Sequence, residues 1–271
     1  MRIGIAGLGL VGGSLALALR SRHEVRGFDT DGAARAAATG EGLAAVDRLE
    51  SLLPADVIIV ATPMRAVLPT LAALSPHAGG AVLLDVASVR GPIDAFARES
   101  ADAARLVGMH PMAGRAARGF TSADPALLAG RPFLVVPTVR SDADAMAVAG
   151  NVARDAGGVV TVCSASEHDR IVALTSALPL ACAAALAATA ADLGTTVAPF
   201  VGPAFRDATR VADTPAELAD AILLANAGNV VAALARMRTV LDELERAVAE
   251  RDTDGLREIL DRAARGRSLL G

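Results

Sequence analysis

The chain has 271 residues, 53% hydrophobic and 21% charged, which is enough apolar material for two packed domains and too much for long disordered tracts. A formal net charge of −4 excludes a general electrostatic field for nucleic acid or an anionic membrane surface, so an anionic ligand must be held locally. Two cysteines, Cys163 and Cys182, make neither a disulfide framework nor a metal cluster, which fits a cytoplasmic protein without a metal, and the absence of lysine and tyrosine removes both as catalytic groups.

In chain order, the first half alternates β-rich runs with helical patterns. Strands are predicted at 2–7 (RIGIAG), 24–29 (EVRGFD), 56–62 (DVIIVAT), 81–86 (AVLLDV), 106–110 (LVGMH), 133–137 (FLVVP) and 159–163 (VVTVC). Near-continuous apolar runs suit strands covered on both faces, as in a mostly parallel α/β sheet. The boundary between an N-terminal domain (1–164) and an all-helical C-terminal domain (165–271) is placed near residue 164. A capping box from Ser166 to Asp169 is expected to open a long apolar helix. Thr214-Pro215-Ala216-Glu217 is expected to start another, running to about Arg251 and followed by a short last helix.

Two stretches resemble membrane-directed segments. The run from Ile3 to Leu19 is broken by glycines that have a better explanation. The uncharged run Ile171–Ala191 contains Thr175, Ser176 and Pro179, lacks a flanking basic asymmetry, and is expected to be buried on several sides. The stripe Leu218, Ile222, Ala225, Val230 and Leu234 is more apolar surface than one small helical domain hides, so a homodimer through the helical half is expected.

The chemistry concentrates in a few places. Gly7, Gly9 and Gly12 in GLGLVGGS have the GxGxxG spacing between a predicted strand and a helix. Gly7 allows the tight turn, Gly9 lets the backbone approach a pyrophosphate and Gly12 permits close helix packing, so the anion rests on the helix N-terminus. Gly7, Leu8, Gly9, Leu10, Val11 and Gly12 are the expected cofactor-binding residues of a Rossmann-type, doubly wound domain. Asp29 ends the second strand 22 positions beyond Gly7. A carboxylate there accepts from both adenosine ribose hydroxyls and repels a 2′-phosphate, favouring NAD. Thr62 ends the third predicted strand, on the ligand side of an open sheet. Ser88 follows the fourth in DVASVRG. Of the four histidines, His110 in GMHPMAG alone sits at a strand end in a proline-fixed turn, where a proton acceptor fits. His23, His77 and His168 read as structural or surface groups. Arg206 and Arg210 in PAFRDATRVAD lie four apart, and either could clamp an anion.

Taken in order, GLGLVGGS, ATP, DVASV, HPMAG, EHDRIVALTSALP and FRDATRVA resemble the prephenate dehydrogenase family over nearly the whole chain. The resemblance implies a Rossmann domain, a helical substrate-binding and dimerisation domain, and NAD-dependent oxidative decarboxylation of a cyclohexadienyl acid in tyrosine biosynthesis. It implies His110 as the proton acceptor, Ser88 as its orienting partner and Arg210 as the holder of the ring carboxylate. The departures fall where the substrate side chain is read. SHLPH is Ser176-Ala177-Leu178-Pro179-Leu180 here, the Thr-Glu after HPMAG is Arg115-Ala116, the Gly and Lys of DVGSVK are Ala87 and Arg90, and an aromatic expected after FRDATR is Leu218. Ser176 and Arg115 are therefore the expected substrate contacts, with Arg115 a replacement cation for a side-chain carboxylate. Prephenate is the first choice of substrate, with arogenate or an amino analogue the alternative. A β-hydroxyacid or imine reductase is disfavoured by the missing lysine, and a catalytically decayed dinucleotide-sensing module by the presence of Ser88, His110 and Arg210.

Overall fold

The computed structural model describes residues 1–100, 105–115 and 117–269, so Ala116 lies outside the described residues. Strands β1 (Arg2–Ala6), β2 (Glu24–Phe28), β3 (Ala44–Val46), β4 (Val57–Val60), β5 (Val82–Asp85), β6 (Arg105–Pro111), β7 (Pro132–Pro137) and β8 (Val159–Val162) form one sheet in the order 3-2-1-4-5-6-7-8. Every neighbouring pair is parallel except β6 and β7. The seven expected strands are present. The eighth, β3, is not among them, because an Ala-Ala-Val edge segment carries little of the β-branched or aromatic signal of a strand.

Helices α1 (Leu10–Leu19), α2 (Gly32–Gly40), α3 (Met64–Leu74), α4 (Gly91–Glu99) and α5 (Ala143–Asp155) connect the strands. Alternation along the strands sorts their side chains into two cores. Ile3, Ile5, Val57, Ile59, Leu84, Val107 and Met109 face one way, with Leu15 and Leu19 of α1 and Val152 of α5. Ile58, Val60, Leu83 and Leu106 face the other, with Val67 and Leu71 of α3 and Ile93 of α4. Both sheet faces are thus covered, as the unbroken apolar runs require.

After β8 the described chain is helical: α6 (Ala165–Val172), α7 (Leu178–Ala191), α8 (Pro203–Thr209), α9 (Ala216–Ala225), α10 (Ala227–Ala249) and α11 (Thr253–Leu269). The cap of α6 is Ser164, whose hydroxyl accepts from the Glu167 amide at 3.2 Å, and not Ser166 two residues on. A π-helical turn, Ala173–Ala177, joins α6 to α7. The continuous stretch Ala165–Ala191 is long and apolar enough to cross a membrane by composition, and a third of its most apolar window is buried. Ile171, Leu174 and Leu186 are exposed, so burial on several sides is not met within one chain. The helix expected from 214 to 251 is interrupted at Asn226, which has left helical geometry. The last helix has 17 residues rather than a short run.

The chain divides into two compact units, Met1–Asn226 and Ala227–Gly271. In the second, α10 and α11 form a hairpin tied by Arg262 and Glu243.

Candidate active site

Parallel order puts the carboxyl ends of β1, β4, β5 and β6 on one edge, and the order reverses between β1 and β4, where open α/β sheets form a ligand crevice. Gly7 sits there with φ +98°, and a Cβ on it would lie 2.5 Å from the Ala61 carbonyl oxygen. Gly12 is equally constrained, since its Cβ would lie 1.9 Å from the Gly7 oxygen. Gly9 has open space instead, with nothing within 4 Å of a Cβ. It is the N-cap of α1 without a side-chain cap, so the amides of Leu10, Val11 and Gly12 have no intrahelical acceptor.

The Leu8 side chain is fully buried in the core, and its contribution is its amide, which donates to Asp29 Oδ2 at 2.7 Å. Asp29 Oδ1 accepts from the Asp31 amide at 2.9 Å. Each carboxylate oxygen of Asp29 keeps a lone pair for a further donor. Arg35 lies beneath, donating to the Asp29 carbonyl at 2.7 Å. The Thr62 hydroxyl oxygen, just past the end of β4, is buried without a partner among the described residues. An open turn, uncapped amides, a carboxylate at the second strand end and a buried unpaired hydroxyl fit a dinucleotide.

On β6, Leu106, Gly108 and His110 share one face. Gly108 leaves room for the guanidinium of Arg90, since a Cβ there would lie 2.5 Å from Arg90 Cζ. Arg90 is 1% exposed and grips the fully buried Asp85 with two nitrogens, Nη2 donating to Oδ2 at 2.6 Å. The same β5–α4 loop carries Ser88, half-buried and without a hydrogen bond among the described residues.

His110 is half-buried, and its Nδ1 lies 2.9 Å from Nε2 of His168. His168 Nδ1 lies 2.8 Å from Asp169 Oδ1. Asp169 also accepts from the amides of Arg90 and Gly91, both at 2.7 Å, so it caps the start of α4 from α6. Buried Asn226 donates to the Asp169 carbonyl at 2.7 Å. His168 is therefore a buried partner of His110, correcting its reading as a merely structural or surface histidine.

Burial pushes the His110 imidazole down to about 3, with His168 and the Arg90 cation adding to the effect and Asp169 opposing it. Burial by itself would raise the Asp169 carboxyl, yet the hydrogen bonds from His168, Arg90 and Gly91 hold it below its ordinary value. At neutral pH the site holds an uncharged imidazole beside an ionised carboxylate.

The other expected contacts are less gathered. Arg210 opens a 3₁₀ turn after α8, exposed and unpaired among the described residues. Ser176, on the π-helical turn, is likewise exposed and unpaired. Arg115 is not a spare cation: it donates to the Ser122 carbonyl and lies 3.9 Å from Asp124. Ala177 and Leu180 are buried and bring no polar atom.

The chain matches the family model described as prephenate dehydrogenase, nucleotide-binding domain, over residues 15–162, and prephenate dehydrogenase, dimerization domain, over residues 164–262. It is similar to the cyclohexadienyl dehydrogenase of Zymomonas mobilis, 29% identical over an alignment covering 99% of this chain and 95% of that protein. Among solved structures it is similar to Synechocystis arogenate dehydrogenase, 30% identical over the whole of both chains with a TM-score of 0.86. It is also similar to A. aeolicus prephenate dehydrogenase in complex with hydroxyphenyl propionate and NAD+, 26% identical with a TM-score of 0.92, covering 100% of this chain and 99% of that one.

Proposed function

The chain belongs to the prephenate dehydrogenase family, and from that premise we propose that it oxidatively decarboxylates prephenate to 4-hydroxyphenylpyruvate with NAD, as a cytoplasmic homodimer in tyrosine biosynthesis. The observation that carries this reading is His110 at the carboxyl end of β6, its Nδ1 2.9 Å from His168 Nε2, four strands along from β2, which Asp29 follows. Gly7, Gly9 and the α1 amides would hold the pyrophosphate, Asp29 the adenosine ribose, and Thr62 would line the crevice. Bound there, the nicotinamide supplies the hydride acceptor.

In this reading His110 accepts the proton of the ring hydroxyl as the hydrogen on the same carbon departs with its electron pair. The oxygen becomes strongly acidic as that hydride leaves, so an imidazole with a depressed pKa suffices as acceptor, and burial favours its uncharged form at neutral pH. Ser88 would orient the hydroxyl and Arg210 would hold the ring carboxylate. That carboxylate is then lost as carbon dioxide, its bonding pair entering a ring that becomes aromatic. The exposed apolar residues Ile171, Leu174, Leu186, Leu218 and Leu224, in the segment matched as a dimerization domain, are the surface a second copy would cover.

Specificity constants for prephenate and arogenate, each with NAD and NADP, test this function. With Ala177 and Leu180 in place of polar groups, the two substrates should differ by less than roughly 100-fold. NAD should be preferred, and Asp29→Ser should shrink that preference at least about tenfold, a change of about 1.4 kcal/mol, because the carboxylate that repels a 2′-phosphate is then gone while Arg35 still lies beneath the strand end. A wild-type preference for NADP overturns the cofactor assignment.

A further inference from the structure

We infer that His168 and Asp169 are positioning residues that hold His110 in one tautomer, with the proton on Nδ1 and the lone pair on Nε2. The inference rests on the reading of His110 as proton acceptor and goes beyond it, since it assigns two further residues and the state they impose.

The assignment follows from counting donors. Asp169 is an ionised carboxylate whose oxygens already accept from the Arg90 and Gly91 amides, so toward His168 it can only accept. His168 Nδ1, 2.8 Å from Asp169 Oδ1, must therefore carry its proton. A neutral imidazole protonated on Nδ1 has a lone pair on Nε2. His168 Nε2 is thus the acceptor in its 2.9 Å contact with His110, and His110 Nδ1 is the donor. This leaves His110 Nε2 unprotonated and without a protein partner among the described residues, which is the form a base needs.

Among the described residues the surroundings supply no competing donor to His168 Nε2. The charged groups around the pair are Arg90, engaged with Asp85, and Asp169 itself. His168 is 1% exposed, so water does not replace His110 as its partner. When His110 Nε2 takes the substrate proton, the bond from substrate oxygen to hydrogen breaks and an imidazolium forms. That cation remains hydrogen-bonded to His168, with the Asp169 carboxylate one ring further on. The arrangement spans the sheet and α6, so the helical segment sets the protonation state of a residue on the nucleotide-binding segment.

The test begins with the unaltered protein, with no cofactor added. With only four histidines in the chain, imidazole nitrogen resonances of 15N-labelled protein can be assigned by single substitution. We expect His110 to show a protonated Nδ1 and an unprotonated Nε2 at pH 7. His168→Gln, whose amide can either donate or accept, should lose this fixed pattern and lower kcat on the order of 100-fold, with KM and dinucleotide affinity changed less than about threefold. A reversed nitrogen pattern in the unaltered protein overturns the inference, as does a His168→Gln kcat within about twofold of the original. If His110→Asn retains full turnover, the reading of His110 as the acceptor fails instead, and the nitrogen spectrum still decides the tautomer.

Discussion

Replacing His110 with asparagine should give a folded protein that binds dinucleotide normally and turns over substrate about 100- to 10,000-fold more slowly, the range lost with a general base. Asparagine keeps a polar group in the turn before Pro111 and can still meet His168, so the sheet edge survives while the nitrogen that takes the proton is gone. Steady-state kinetics beside a dinucleotide-binding titration separate the two effects, and more than a tenth of the original activity at neutral pH would remove His110 from its role. The pH profile supplies a companion check. A base is active when unprotonated, and burial lowers the His110 pKa to about 3, so kcat/KM should not decline as pH falls from about 7.5 to about 5.5. A fall with a midpoint near 6.5, the ordinary imidazole value, contradicts the buried assignment.

Arg90→Met should destabilise the fold by about 3–5 kcal/mol, the cost of leaving a buried partner charge uncompensated. Asp85 is fully buried and Arg90 is its bidentate partner, with the Ala87 amide, at 3.1 Å, its other donor. Gly108 is shaped around that guanidinium, so the shorter apolar chain leaves the carboxylate in a dry pocket. Urea denaturation measures the loss. Adding Asp85→Leu to Arg90→Met should recover most of it, because an apolar pair of similar volume replaces a buried ion pair at little cost. A single variant within about 1 kcal/mol of the original, or a double variant no better than the single, contradicts the ion pair's role beneath the site.

Much of this was legible in the sequence because local chemistry carried it. The GxGxxG turn and the unbroken apolar strands specify a doubly wound sheet, and the turn is confirmed by the positive φ of Gly7 and the crowding at Gly12. What escaped was set by tertiary contact. Ser164 and Ser166 offer similar caps, and which one works depends on where the chain leaves β8. Asn226 ends α9 in a run whose apolar spacing continues without a break, and it spends its side chain on the Asp169 carbonyl. His168 reads by position as a first-turn helical residue, although the sequence carries a further signal. His168 and Asp169 precede Val172 and Ala173 by four positions each, so helical periodicity places both polar residues on the buried face. A histidine and an aspartate on an apolar stripe require partners, and the partners lay 58 and 79 positions away, at His110 and Arg90.

The exposure of Arg115 to Asp124 and the Ser122 carbonyl also changes what the sequence implied, since a cation already engaged within its own loop has less to give a substrate carboxylate. Ala177 and Leu180 are buried and bring no polar side-chain atom in its place, which is why strong discrimination between a keto acid and an amino acid is not expected.

The most direct measurement is the stoichiometry of the reaction itself, with purified protein, prephenate and NAD at neutral pH. Reduced cofactor and carbon dioxide should appear together in a 1:1 ratio, with 4-hydroxyphenylpyruvate as the organic product, and both signals should vanish together in His110→Asn. Reduction of the cofactor without release of carbon dioxide, or no turnover of prephenate or arogenate with either cofactor, would contradict an oxidative decarboxylation built on His110.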